Sequence, residues 1–158
     1  MSRVVVNEIQ AKVGNDISFN DAAKIDTLKG KTTAGSISVQ GEGTATTNLQ
    51  QGLAKSWINY AQNGDTIRDS LNISSVSDNS TSEFTVVMTN VMANINYSTH
   101  GSMAPNFGVA TGYGMSMYQD GSAESVPTTA SYFIRTVGSN GSGYDSKYNM
   151  ISVHGDLG

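Results

Sequence analysis

The sequence predicts a mostly β protein with an extended N-terminal β stem, a short connector helix and a C-terminal antiparallel β-sandwich head, assembled as a homotrimer. Apolar bursts separated by polar turns recur about every ten residues after Lys55, which is typical of an antiparallel sandwich or barrel. Only 14% of the 158 residues are charged, so hydroxyl and amide side chains must cover most of the surface. The apolar segments before residue 47 contain too few apolar side chains to form a hydrophobic core within one chain, whereas three chains could form a shared core.

The bulk composition argues against several classes of function. Nine Lys and Arg residues against thirteen Asp and Glu give a net charge of −4, so no basic patch for nucleic acid is expected. The absence of cysteine excludes a disulfide framework and thiol catalysis. The first residues predict no secretion signal, and no apolar run approaches the ~20 residues of a membrane-spanning helix. We therefore expect neither nucleic-acid binding nor membrane insertion.

Residues 1–43 are predicted to form the stem. Each burst there has one to three apolar side chains, as in Val4–Val6, and turn signals such as Gly14–Asp16 and Gly30-Lys31 separate the bursts. A shared threefold axis would bury these side chains in small layers. The alternative is an ordinary meander packed on the rest of the protein.

Residues 44–57 are predicted to form a connector helix, with its helical turns over about Asn48–Ser56 and a threonine cap before them. Leu49, Leu53 and Trp57 fall at positions i, i+4 and i+8, which places them on one narrow apolar stripe. We predict that this stripe joins stem to head and holds three chains in register. The alternative is a plain connector that covers one edge of a sheet.

The head is predicted to span residues 58–158. In Glu83–Met88 apolar and polar residues alternate, which is the pattern of a strand with one buried face. The predicted core side chains are Phe84, Val86, Met88, Phe133, Ile151 and Val153. The predicted strands are Ser56–Tyr60, Thr66–Val76, Glu83–Met88, Asn94–Thr99, Val109–Tyr118, Ser131–Val137 and Asn149–His154, with a turn at Ser77–Ser80.

The residues that could carry chemistry are few and scattered. His100 and His154 are far apart in the sequence and lack the spacing of metal ligands, so no metal or cofactor is predicted. Most carboxylates fall in predicted turns, where Asp is favoured for backbone hydrogen bonding, so no catalytic pair is predicted. Arg68 and Asp69 are neighbours in a strand and are predicted to form a structural ion pair or a contact between chains.

Two loops have the composition of adaptable binding surfaces, which are rich in Tyr, Asn, Ser and Gly. Asn106, Tyr113 and Tyr118 belong to the first loop region, and Asn140 and Tyr144 belong to the second. These five residues are the candidate binding residues. The alternative is that both loops are merely solvated tips.

Ordered motifs in the middle of the chain resemble a module of tail-fibre and other virion proteins of marine bacteriophages, including cyanophages. The module has an AK-x-W-x-N segment, here Ala54–Asn59, and then RDS-x-N-x-SS, here Arg68–Ser75. A short strand follows at Phe84–Met88, and a late Asn-Tyr follows at Asn96-Tyr97. The closing strands and the opening Val6–Gly14 are also similar to such proteins, whereas Ser80–Ser82 stands where a glycine turn is common.

This resemblance implies a homotrimeric virion fibre without catalytic residues. Its N-terminal region would attach to other tail proteins of the particle, and its head would contact a host surface glycan or protein, or a neighbouring virion protein. One alternative is a purely architectural component, such as a tail connector or a capsid decoration fibre, with no receptor. A more remote alternative is a polysaccharide-cleaving tailspike, which would need a carboxylate pair in a groove and usually a much longer β-helix.

Overall fold

A computed structural model describes residues 25–30, 37–40, 44–104, 113–116, 126–138 and 141–158. The predicted mostly β, antiparallel character is confirmed. Most of the predicted stem lies outside the described residues. The exceptions are residues 25–30 and 37–40, and Ser38–Gln40 is a strand, β1, that pairs antiparallel with β2, Thr46–Asn48. No helix in the described part of the chain is long and apolar enough to cross a membrane.

Two four-stranded antiparallel sheets follow, and we call residues 56–154 the two-sheet region. The chain alternates between the sheets, so each sheet combines strands distant in sequence. The first sheet has the order β4 (Thr66–Leu71), β3 (Ser56–Ala61), β10 (Tyr148–His154), β7 (Ser98–Ala104). The second sheet has the order β5 (Ile73–Ser80), β6 (Glu83–Met88), β9 (Ser131–Gly138), β8 (Tyr113–Ser116).

One hydrophobic cluster is built from both sheets. Tyr60 of β3 and Phe84 of β6 touch within it, with ring centroids 4.9 Å apart. Full burial of a large apolar side chain contributes about 1.5–3 kcal/mol relative to exposure, so this shared cluster is the main source of stability. Its buried members are Ile58, Tyr60, Phe84, Val86, Met88, Met92, Tyr132, Ile134, Ile151 and Val153.

Alternation along the central strands places these side chains. Strand β6 has the predicted bounds, and its Phe84, Val86 and Met88 are buried as predicted. On β9 the cluster receives Tyr132 and Ile134, whereas the predicted core residue Phe133 is buried outside that cluster. Successive side chains of a strand point to opposite faces, so Phe133 faces away from its two neighbours.

The predicted strand Thr66–Val76 is wrong because the chain turns at Asn72. Asn72 has φ of 59°, in the left-handed region that Asn tolerates better than most residues. Its Nδ2 donates to the carbonyls of Lys55 (3.1 Å) and Asn90 (3.0 Å), and its Oδ1 accepts from the Asn90 N–H (2.7 Å). This residue therefore ends β4 in one sheet and starts β5 in the other.

The predicted connector helix is also wrong in extent. Helix α1 covers only Leu49–Gly52, and Leu53 beyond it is more than half exposed. Trp57 lies in β3, so the three residues do not form a helical stripe. Gly52 weakens a helix by up to ~1 kcal/mol relative to Ala. Pairing with β10 begins immediately afterwards, where the Lys55 N–H donates to Val153 O at 2.7 Å.

Other boundaries shift in ways that local hydrogen bonds explain. The predicted strand Asn94–Thr99 is replaced by β7, which begins at Ser98, because the Asn94 side chain accepts from the Asn96 N–H and closes a turn. Strand β5 runs through the predicted turn at Ser77–Ser80, and the chain reverses at Ser82, where φ is 74°. Of the predicted strand Val109–Tyr118, only β8 lies within the described residues.

A short 3-10 helix, Gln62–Gly64, connects β3 to β4 within the first sheet, and its first residue reaches the second sheet. Gln62 is buried, and its Nε2 donates to the Asp78 carboxylate and to the Ser80 carbonyl, each at 3.1 Å. The partners lie in β5, while Gln62 directly follows β3. A single amide therefore fixes the relative position of strands from different sheets.

Candidate functional surface

The first sheet turns one face to the shared core and the other away from it. Cross-strand register brings together the side chains of this second face, which we call the outer face. Trp57 lies between Leu71 of β4 and Ser152 of β10, and Asn59 of β3 lies opposite Met150 of β10. The outer face consists of Trp57, Asn59, Asp69, Leu71, Ser98, His100, Ser102, Ala104, Tyr148, Met150, Ser152 and His154.

An open groove of about 350 Å³ runs along the middle of the outer face. Trp57, Asn59, Met150 and Ser152 line it, together with the strand backbones between them. Met150 is 44% exposed and Leu71 is 48% exposed, although both are large and apolar. Exposed apolar side chains beside amide and hydroxyl groups are typical of a contact surface rather than of a solvated face.

A cationic cluster lies at one end of this face. The Arg68 guanidinium sits over the Tyr148 ring at 4.2 Å from its centroid, and it donates to the Lys147 carbonyl. The Lys147 ammonium lies 5.7 Å from the same centroid. Asp69 instead accepts a hydrogen bond from the Ser70 N–H. Arg68 and Asp69, predicted to form a structural ion pair or a contact between chains, thus contact different groups within this chain. A β-bulge shifts the register of β4 against β3 between Ile67 and Asp69, where Arg68 lies.

The ion pair seen in the described part of the chain is elsewhere, on the second sheet. Arg135 Nε lies 3.7 Å from Glu83 Oε1, and the two residues are direct cross-strand partners on β9 and β6. Both side chains are partly exposed. Such pairs typically contribute only about 0–1 kcal/mol, so this one is a minor structural contact.

The two histidines, distant in sequence, are neighbours on the outer face. The ring centroids of His100 and His154 are 5.9 Å apart and the ring planes make an angle of 80°. The pairing of β7 with β10 brings them together, which sequence spacing could not reveal. An alternating pattern in both strands was the available signal, but the position of β7 was predicted too early in the chain.

The predicted binding loops are only partly described. Tyr144 is half-buried, and its backbone N–H donates to Thr136 O at 3.3 Å, so it is tied to β9. Tyr113 begins β8, at an edge of the second sheet. The other three candidates, Asn106, Tyr118 and Asn140, lie outside the described residues.

Two core tyrosines have strongly perturbed acidity. Burial raises the pKa of Tyr60 well above its usual value, and the hydrogen bond from its hydroxyl to Asp65 Oδ1 (2.8 Å) raises it further. Burial likewise raises the pKa of Tyr132. Both side chains belong to the shared cluster and not to the outer face, so the shifts bear on stability.

Comparison of the chain with protein-family models, with curated proteins and with solved structures gave no match.

Proposed function

We propose that the chain is a non-enzymatic structural protein of a bacteriophage virion, a trimeric tail fibre. In this proposal residues 1–43 form the stem that attaches to the particle, and the two sheets form a β-sandwich head. The head contacts the host surface or a neighbouring virion protein through the outer face of its first sheet. Multivalent display on a trimer would convert weak contacts into useful avidity.

The observation that carries the proposal is the exposure of apolar side chains before the two-sheet region. Ile25, Leu28, Val39 and Leu53 are between 47% and 59% exposed. None of the side chains described before Ser56 is buried. Large apolar groups left in water are unfavourable, and a threefold axis shared by three copies would cover them.

The positions of the phage-like motifs give further support. Trp57, from the AK-x-W-x-N segment, lines the groove of the outer face. Arg68 and Asp69, from the RDS segment, lie on the neighbouring strand at its cationic end. The shared core of two antiparallel sheets is what a sandwich head requires.

Sedimentation equilibrium of the full chain tests the assembly. We expect a trimer at micromolar concentration, and we expect Val39→Ser combined with Leu53→Ser to shift it toward monomer. Ile95→Ser is the matched control, because Ile95 is 53% exposed but lies in the loop before β7. A wild-type monomer would contradict the trimeric fibre.

Binding of the dye-labelled full chain to marine cyanobacterial cells tests the role of the outer face. We expect labelling of susceptible cells, reduced by Trp57→Ala and unchanged by Ile95→Ser. Failure to label any cell, with a trimer still present, would instead favour a purely architectural role. Release of soluble sugar from host polysaccharide would contradict a non-enzymatic protein.

A further inference from the structure

We propose that His100 and His154 form a binding site for one divalent transition-metal cation of the Zn²⁺, Ni²⁺ or Cu²⁺ class. The site lies on the outer face, between the edge strand β7 and the central strand β10. It adjoins the groove beside Trp57, whose lining includes Ser152, and it does not depend on the proposed fibre function.

The backbone register sets the spacing of the two rings. His100 lies directly opposite Ser152, and His154 lies directly opposite Ser98, so the two imidazoles occupy one diagonal of a four-residue square. Serines fill the other diagonal, and such small side chains leave room between the rings. Side chains at diagonal positions of an antiparallel pair are within reach of each other when they are long or aromatic.

The ring separation suits a shared ion. An imidazole nitrogen binds Zn²⁺ at about 2.0–2.1 Å, which places the centroids of two rings on one ion roughly 5–6 Å apart. The observed centroid separation of 5.9 Å falls in this range, so rotation of the side chains can aim one nitrogen of each ring at a common point. His100 is exposed and His154 is half-buried, so an ion can enter from solvent. Imidazole is a preferred ligand of Zn²⁺, Cu²⁺ and Ni²⁺.

Water completes the coordination shell in this proposal. No cluster of three or more His, Cys, Asp or Glu side chains suited to a metal ion occurs within the described ranges. A two-histidine site is therefore open, with modest affinity, and free positions remain for a ligand atom of a partner. Binding of the metal ion would link the edge strand β7 to β10, and it would stabilise the folded state because the unfolded chain lacks the site.

The chain offers an unusually clean test because it contains only two histidines. Isothermal titration calorimetry of the untagged full chain with ZnCl₂, NiCl₂ and CuCl₂ should show one ion per chain. Removing a residue that only hydrogen-bonds to a metal ligand typically lowers metal affinity about 10–100-fold. Removing a ligand itself should cost at least as much, so we expect His100→Ala and His154→Ala each to weaken binding at least about tenfold. Ser102→Ala, on the same face but outside the four-residue square, should leave the affinity unchanged.

Thermal unfolding supplies a second readout. Saturating Zn²⁺ should raise the melting temperature of the wild type and of Ser102→Ala, but not that of the histidine variants. His154→Gln replaces His154→Ala if the alanine variant does not fold. Absence of saturable binding at sub-millimolar metal would overturn the proposal. So would two independent weak ions per chain, or an affinity unchanged by removal of either histidine.

Discussion

Tyr60 and Phe84 lie in different sheets and pack together with their ring planes at 53° and their centroids 4.9 Å apart. Both are fully buried. Tilted aromatic pairs of this kind are worth about 0.5–1.5 kcal/mol beyond the area they bury. The pair therefore couples two sheets whose strands do not hydrogen-bond to each other.

Phe84→Ala should destabilise the two-sheet region by about 3–5 kcal/mol, because it removes a fully buried ring and leaves a cavity. Urea unfolding followed by circular dichroism would report a lower midpoint. Ser77→Ala, at an exposed position of β5, is the control and should change stability by no more than about 0.5 kcal/mol. Equal midpoints for the two variants would mean that the sheets do not share this core.

Gln62→Glu should be more destabilising at neutral pH than Gln62→Ala. The amide donor becomes a carboxylate that faces Asp78 Oδ1 and the Ser80 carbonyl, so attraction is replaced by repulsion. Gln62→Ala loses the hydrogen bonds alone, at a cost of about 1–3 kcal/mol. Chemical unfolding at pH 7 and pH 4 measures both variants.

Acidification should recover part of the Gln62→Glu loss, since protonation removes the repulsion. Asn63→Ala is a suitable control, because Asn63 is exposed and adjacent. A Gln62→Glu variant as stable as wild type would show that this amide does not link the sheets.

Asn72→Ala should lower the free energy of unfolding by about 2–4 kcal/mol, for two reasons. The side-chain hydrogen bonds to Lys55 and Asn90 are lost, and alanine adopts the left-handed backbone conformation at φ of 59° less readily than asparagine does. Asn72→Gly should cost less, since glycine adopts this φ without strain. The difference between the two variants in urea unfolding isolates the backbone contribution. A glycine variant no more stable than the alanine variant would leave the hydrogen bonds as the whole effect.

Stability should fall at alkaline pH. Folding raises the pKa of Tyr60 and Tyr132, so the folded state favours their neutral phenols. The stabilisation that results is complete below the usual tyrosine pKa of about 10, and it is lost as the pH rises above that value. Unfolding free energies measured from pH 8 to pH 11 should decline at the upper end. Tyr60→Phe and Tyr132→Phe should each flatten that decline, whereas an unchanged slope in both would contradict the burial argument.

Strands with strict alternation were the most predictable part of the fold. Strand β6 matches its predicted bounds, and β3, β9 and β10 begin and end within one residue of theirs. In β6 and β10 buried and more exposed residues alternate as the period-two pattern predicts, whereas β9 also buries Phe133 on its other face. The prediction of a connector helix was wrong in extent. Three apolar side chains on a short helix stabilise it too little to compete with the strand pairing that starts at Lys55.

Local sequence patterns could not predict the roles of residues whose partners are distant in the sequence. Asn72 looks like any polar residue in a strand, and only its bonds to Asn90 and Lys55 reveal a turn between sheets. The neighbouring positions of His100 and His154 follow from strand order, which sequence spacing does not encode. Trp57 was predicted to belong to a helical stripe, whereas it lies in β3 and lines a groove on a sheet.

The pairing of β3 with β10 also governs when this protein can fold during synthesis. Asn149 is buried, and its Nδ2 donates to the carbonyl of Tyr60, 89 residues earlier in the chain. Strand β10 sits between β3 and β7, so without it the first sheet is divided and its half of the core is open. A nascent chain can therefore pair β3 with β4, and β6 with β5 and β9, but it cannot complete the first sheet until β10 leaves the ribosome. Such long-range closure makes folding slow and leaves apolar strands exposed to aggregation in the interval.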